Sequence, residues 1–134
     1  MNIIEQYQEE LQKDMHIDEL NVTQVAHILP SIKHKWVARL INAKIKIYKL
    51  EKLKKDSKEQ LIFKIKETST NQSLLSIDRS IDNSEDYKKN ISKIDEEIEN
   101  LKIIVLYLEK IENIFKSMTF DIKNIIDLNK LETT

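Results

Sequence analysis

The sequence predicts an all-α protein built of long helices, and three observations carry that prediction. Its 134 residues include no glycine and a single proline, Pro30, so tight hairpins and glycine-rich phosphate loops lack the residue that suits their positive-φ positions. Apolar residues recur three and four apart over long stretches, the signature of helices that bury one stripe. Polar turn-forming residues gather mainly between Thr68 and Ser84, which marks the one substantial connector. With 40% apolar residues and the size of one ordinary domain, the chain has enough hydrophobic material for a core.

Taken in order, Ile3, Tyr7 and Leu11 at fourfold spacing predict a short amphipathic helix over about residues 3–15, acidic on its outer face. Asn21 is placed to cap a second short helix ending at Leu29, where Pro30 interrupts the pattern and suits the first turn of a third. In that third helix Ile32, Trp36, Leu40, Ala43, Ile47 and Leu50 form one stripe, continuous to near Leu53. Lys54 to Gln60 contains no apolar residue, so the helix there is either solvated or interrupted before Leu61, Ile62 and Ile65. Ile45-Lys46-Ile47 and Phe63-Lys64-Ile65-Lys66 alternate as strands do, but neither has the flanking turn residues of a hairpin.

After the connector, a final long helix capped near Asp82 to Ser84 carries Tyr87, Ile91, Ile94, Ile98, Leu101, Val105 and Leu108 at alternating spacings of four and three, a heptad seam. Phe115 and Met118 extend that face, and Thr119 offers an N-cap to a short C-terminal helix marked by Ile122, Ile125, Ile126 and Leu131. Residues 85–118 would span about 50 Å at ~1.5 Å per residue, more than one small chain readily covers. Ile98, Leu101, Val105, Leu108, Phe115, Met118, Ile122, Ile125 and Ile126 are therefore predicted to carry subunit association. The expected organisation is one helical domain over 1–134: an acidic helix and a basic helix over 1–67, a polar connector over 68–84, and oligomerisation helices over 85–134.

The net charge of −1 conceals a segregation. Residues 1–29 carry one basic and six acidic side chains, whereas Ile32 to Lys66 carries twelve Lys or Arg against Glu51, Asp56 and Glu59, a net +9. Such a block attracts nucleic acid, an anionic lipid surface or the acidic segments of neighbouring copies. At ~100° per residue, Lys35, Arg39, Lys46 and Lys49 share an arc of about 80° opposite Trp36, Leu40 and Ile47. Lys54, Lys55 and Lys58 swing onto the arc of the earlier apolar stripe. With Lys64, these are the candidate phosphate contacts. Trp36, Tyr48 and Phe63 lie among them and offer faces on which bases stack, although its place on the apolar stripe assigns Trp36 to the core.

Other classes find little support. There is no basic leader, and the longest apolar run is Ile103 to Leu108, so neither a signal peptide nor a membrane-spanning helix is expected. The lack of cysteine removes disulfides and thiolate sites and fits a reducing cytoplasm. His16, His27 and His34 fall in no metal-ligand motif, and Asp95, Glu96, Glu97 and Glu99 flank the heptad seam as its solvated face. No catalysis, cofactor or metal is expected, and the chain lacks the motifs of sequence-specific duplex readers. The residues leave two readings. One is a self-associating binder of single-stranded nucleic acid. The other is a helical scaffold or adaptor, without a nucleic-acid role, that assembles by charge pairing and a coiled-coil seam.

The order of several short motifs adds a resemblance. Gln8-Glu9-Glu10-Leu11, Lys13-Asp14 and Ile17-Asp18, then Lys35-Trp36 and the basic run from Ile45 to Lys55, then Lys116-Ser117, Phe120, Ile122-Lys123, Ile125 and Asp127 together resemble the UvsY recombination mediators of T-even-like phages. The resemblance implies an all-α subunit that assembles into a hexameric or heptameric ring and binds single-stranded DNA. It also implies a role in helping a RecA-like recombinase replace the phage single-strand-binding protein, in the cytoplasm of the infected bacterium. With a one-residue gap, the family's DNA-contacting Lys-x-Arg element falls on Lys58-Glu59-Gln60. Lys58 carries over, Gln60 departs, Glu59 adds an opposing charge, and Lys54, Lys55 and Lys64 are placed to compensate.

Overall fold

A computed structural model describes residues 2–18, 20–68 and 85–133. It contains α1 (Ile3–Asp14), α2 (Val22–Thr68) and α3 (Glu85–Thr133), with no strand among the described residues. The two alternating stretches are helical. The predicted connector beyond Thr68, and the cap near Asp82 to Ser84, lie outside the described residues.

Local chemistry explains the starts and stops. Asn2 caps α1, its Oδ1 accepting from the Glu5 N–H at 2.8 Å, which satisfies one of the four orphan donors of a helix start. Between α1 and α2, the Asp18 carboxylate accepts from the N–H groups of Leu20 and Asn21, and Asn21 Oδ1 accepts from the Asp18 N–H. The Asn21 side-chain amide also donates to the His16 carbonyl. Asn21 thus opens α2 with its backbone carbonyl, which accepts from Val25, while its side chain braces the turn behind it.

Two expected helix breaks are absent. Pro30 lies inside α2, so the predicted second and third helices are one. Proline removes the bond to the Ala26 carbonyl, and an interior proline costs ~3 kcal/mol. Val22, Val25 and Leu29 before it and Trp36, Leu40 and Ala43 after it are all buried, each contributing on the order of 1.5–3 kcal/mol for the larger side chains. That burial outweighs the lost bond, and Pro30 itself faces solvent. Thr119 likewise starts no new helix: its hydroxyl donates to the Phe115 carbonyl one turn back, at 2.9 Å, within α3. The Lys54 to Gln60 stretch is helical and largely exposed.

The chain divides into two compact units, Met1–Asn42 with Ile104–Thr134, and Ala43–Ile103. The first contains most of the buried side chains: Leu11 of α1, Val22, Val25, Leu29, Trp36 and Leu40 of α2, and Leu108, Ile111, Phe115, Met118 and Ile122 of α3. At its centre Trp36 meets Tyr7 edge-on at 5.4 Å and Phe115 at 6.5 Å between ring centroids, within the range of favourable aromatic pairs. The second unit is thinner. Ala43 and Ile98 are buried, whereas Ile47, Leu50, Leu61 and Ile65 on α2 and Tyr87, Ile91, Ile94 and Leu101 on α3 are half-buried. Lys54 bonds Asp95 across its two helices at 2.8 Å.

The residues assigned to subunit association take a different place. Ile98, Leu108, Phe115, Met118 and Ile122 are buried by the chain itself, and Leu101, Val105, Ile125 and Ile126 are half-buried. The chain therefore covers much of the seam with its own helices, because α2 is one uninterrupted helix long enough to supply the missing partner surface.

Candidate nucleic-acid interface

The candidate phosphate contacts fall into two groups. Lys35 and Arg39 belong to the first unit, where α1 covers them. Arg39 reaches Glu10 through both terminal nitrogens, at 2.7 and 3.2 Å. Lys35 donates to Glu10 at 2.8 Å and to Asp14 at 2.6 Å. Asp14 also accepts from the Trp36 indole N–H at 2.9 Å. The Arg39 guanidinium lies 4.7 Å from the Trp36 ring centroid and 4.8 Å from that of Tyr7, close enough for cation–π attraction. These two cations fasten the acidic helix to α2 through Glu10 and Asp14, one turn apart on α1.

The network shifts the charges it joins. The Arg39 guanidinium and then the Lys35 ammonium hold the Glu10 carboxyl at about 2, below its ordinary 4.5. Burial works against the charge on Lys35, yet the Asp14 and Glu10 carboxylates outweigh it and raise its pKa. A carboxyl whose folded pKa is depressed stabilises the fold above its unfolded value and loses that contribution as pH falls through the folded one. Attachment of α1 should accordingly weaken between about pH 4.5 and about pH 2. The fluorescence of Trp36, the one tryptophan, reports this directly, and Glu10→Gln should flatten the change; an identical acid profile in that variant would remove Glu10 as its source.

Lys46, Lys49, Lys54, Lys55, Lys58 and Lys64 belong to the second unit. Lys54 is engaged by Asp95, whose carboxylate raises its pKa. Lys46, Lys49, Lys55 and Lys58 are exposed, with no ion pair to other described residues. Lys64 is also exposed and lines a shallow groove with Asp56, Glu59, Gln60 and Phe63. The sequence reading omitted Lys52, which is exposed and lines a second groove with Tyr48, Glu51, Lys55, Asp56 and Glu59. Its signal was its place one turn beyond Tyr48. Of the three candidate stacking residues, Trp36 is 2% exposed and packs in the core, whereas Tyr48 is 67% and Phe63 63% exposed.

Among the described residues no cluster suited to a metal ion occurs, and no helix is long and apolar enough to cross a membrane. The fold and these side chains define an all-α protein that displays cations along one long helix. The family model described as recombination, repair and ssDNA binding protein UvsY matches residues 10–134, and the chain belongs to that family. Among solved structures, the crystal structure of the bacteriophage T4 recombination mediator protein UvsY is similar with a TM-score of 0.70. It is 22% identical, with 98% of this chain and 99% of that chain covered, a likeness of fold. No curated protein sequence matches significantly.

Proposed function

We propose that this chain is a non-catalytic recombination mediator that binds single-stranded DNA and helps a RecA-like recombinase replace the single-strand-binding protein there. Its subunits assemble into a closed ring in the cytoplasm of a phage-infected bacterium. Each subunit contributes a weak basic site, so that several sites on one ring hold a strand through effective concentration. The observation that carries this reading is the set Lys46, Lys49, Lys55 and Lys58, exposed on α2 in a chain whose family is described as binding single-stranded DNA. The acidic helix α1 answers the scaffold reading in part: its carboxylates meet Lys35 and Arg39 of the same chain, which leaves Lys46, Lys49, Lys55 and Lys58 for another anion.

Titration of the protein with labelled single-stranded DNA at several salt concentrations tests the proposal. Affinity should fall by ~0.7 log units per phosphate contact for each tenfold rise in salt, with slight sequence preference. Replacing Lys49, Lys55 and Lys58 together by Ala should weaken binding and reduce that slope, with helicity unchanged. A slope that stays the same would exclude this patch. Displacement of single-strand-binding protein by recombinase, followed with and without the chain, tests the mediator role itself.

A further inference from the structure

We propose that Tyr48 and Phe63 are stacking platforms for the bases of the bound strand, with Lys52 and Lys55 between them holding its phosphates. The inference rests on the reading above that this chain binds single-stranded DNA, and adds to it a contact that carries no charge.

The first argument is exposure. α2 places its tryptophan in the core but leaves Tyr48 and Phe63 about two-thirds in water. The described ring contacts join Tyr7, Trp36 and Phe115, and neither of these two rings takes part. Large rings contribute most when buried against a partner surface.

The second argument is placement. Fifteen residues separate Tyr48 from Phe63, about 22 Å along the helix and about 60° around it. Both rings therefore lie on one broad side of α2, away from Ile47, Leu50, Lys54, Leu61 and Ile65, which turn toward the second unit's interior. Lys52 and Lys55 lie on the same side, one and two turns beyond Tyr48, and line its groove; Lys55 is thus turned about 100° from Trp36, off the apolar arc expected of it from the sequence.

The third argument is pattern. A coiled-coil seam would carry apolar residues at each three- or four-residue step. Up to Tyr48 this side carries the exposed Val37, Ile41 and Ile45, but Lys52, Lys55 and Glu59 then interrupt its apolar surface before Phe63, so the stretch between the two rings is not such a seam. Alternating ring and cation suits a polymer whose flat apolar bases alternate with phosphates. Glu51, Asp56 and Glu59 stand beside the same grooves and repel phosphate, which lowers what charge alone can supply and gives stacking more to do.

The test uses the full chain with Tyr48→Leu and Phe63→Leu combined, which keeps apolar bulk but removes the flat π face. It compares a labelled oligothymidylate with a strand of the same backbone that lacks bases. The double variant should bind oligothymidylate about tenfold or more weakly, within the range of stacking losses, with the salt slope unchanged. On the abasic strand variant and wild type should bind alike. Tyr48→Phe keeps the ring and should keep wild-type affinity. Equal binding of oligothymidylate by variant and wild type would overturn the proposal and leave the DNA-binding reading standing. So would an equal loss on both strands, or a fall in sedimenting mass, which would place the rings in a subunit contact. If the wild type binds neither strand, the DNA-binding reading itself fails.

Discussion

Trp36→Ala should cost about 3–5 kcal/mol of unfolding free energy, the range for deleting a large buried aromatic side chain. Trp36 is 2% exposed and touches every helix of the first unit: Tyr7 and Asp14 of α1 and Phe115 of α3. Truncation leaves a void beside Phe115 and takes the edge contact from Tyr7. It also removes the indole donor that helps hold Asp14, so the attachment of α1 weakens together with the α2 to α3 packing. Domains are stable by only ~5–15 kcal/mol, so this loss is a large share of the total. Urea denaturation followed by circular dichroism measures it, since the variant lacks the tryptophan signal. Tyr48→Ala, on the exposed side of α2, should stay within about 0.5 kcal/mol. A loss below about 1 kcal/mol for Trp36→Ala would show that the first unit does not depend on this junction.

The same residue shows what the sequence made legible. The three-four spacing that assigned Ile32, Trp36, Leu40 and Ala43 to one stripe is the spacing along which the fold buries Trp36, Leu40 and Ala43 and half-buries Ile32, because helical periodicity is local and needs no knowledge of the partner. Pro30 and Thr119 misled for a related reason. Each is a sound local stop or start signal, but an interior proline costs ~3 kcal/mol or more and a threonine bonded to its own backbone less, and the several buried residues on either side together contribute more. Partner identity was the least legible feature. Lys35 and Arg39 looked like solvent-facing cations because their carboxylates, Glu10 and Asp14, lie more than twenty residues away. Lys54 looked like a phosphate contact for the same reason, its acceptor Asp95 being forty-one positions distant. The seam from Ile98 to Ile122 was legible as apolar, yet nothing local says whether such a stripe meets its own chain or another.

That last ambiguity leads to the prediction with the largest effect on DNA binding. If Phe115, Met118 and Ile122 are buried within the chain, a ring must use other surface, and deleting the C-terminal residues would destroy the core before it tested assembly. α3 offers an alternative on its opposite side. Phe120, Leu128 and Leu131 are 65%, 58% and 72% exposed and share an arc of about 80° at 100° per residue. Apolar side chains gathered on one exposed face mark a contact surface, and in the proposed assembly that surface is a subunit contact. Phe120→Glu with Leu128→Glu adds two charges there without opening a cavity, because neither ring nor isobutyl group is part of the core, and glutamate is compatible with the helix. The double variant should sediment as a smaller species with the helicity of the wild type. Its single-strand affinity should fall by roughly 10²–10⁴-fold, the scale of lost multivalency, although Lys49, Lys55 and Lys58 are untouched. A variant that keeps its full mass would remove this face from the assembly; one that becomes smaller yet binds DNA as tightly would show that each subunit's site is strong alone and that avidity is not the mechanism.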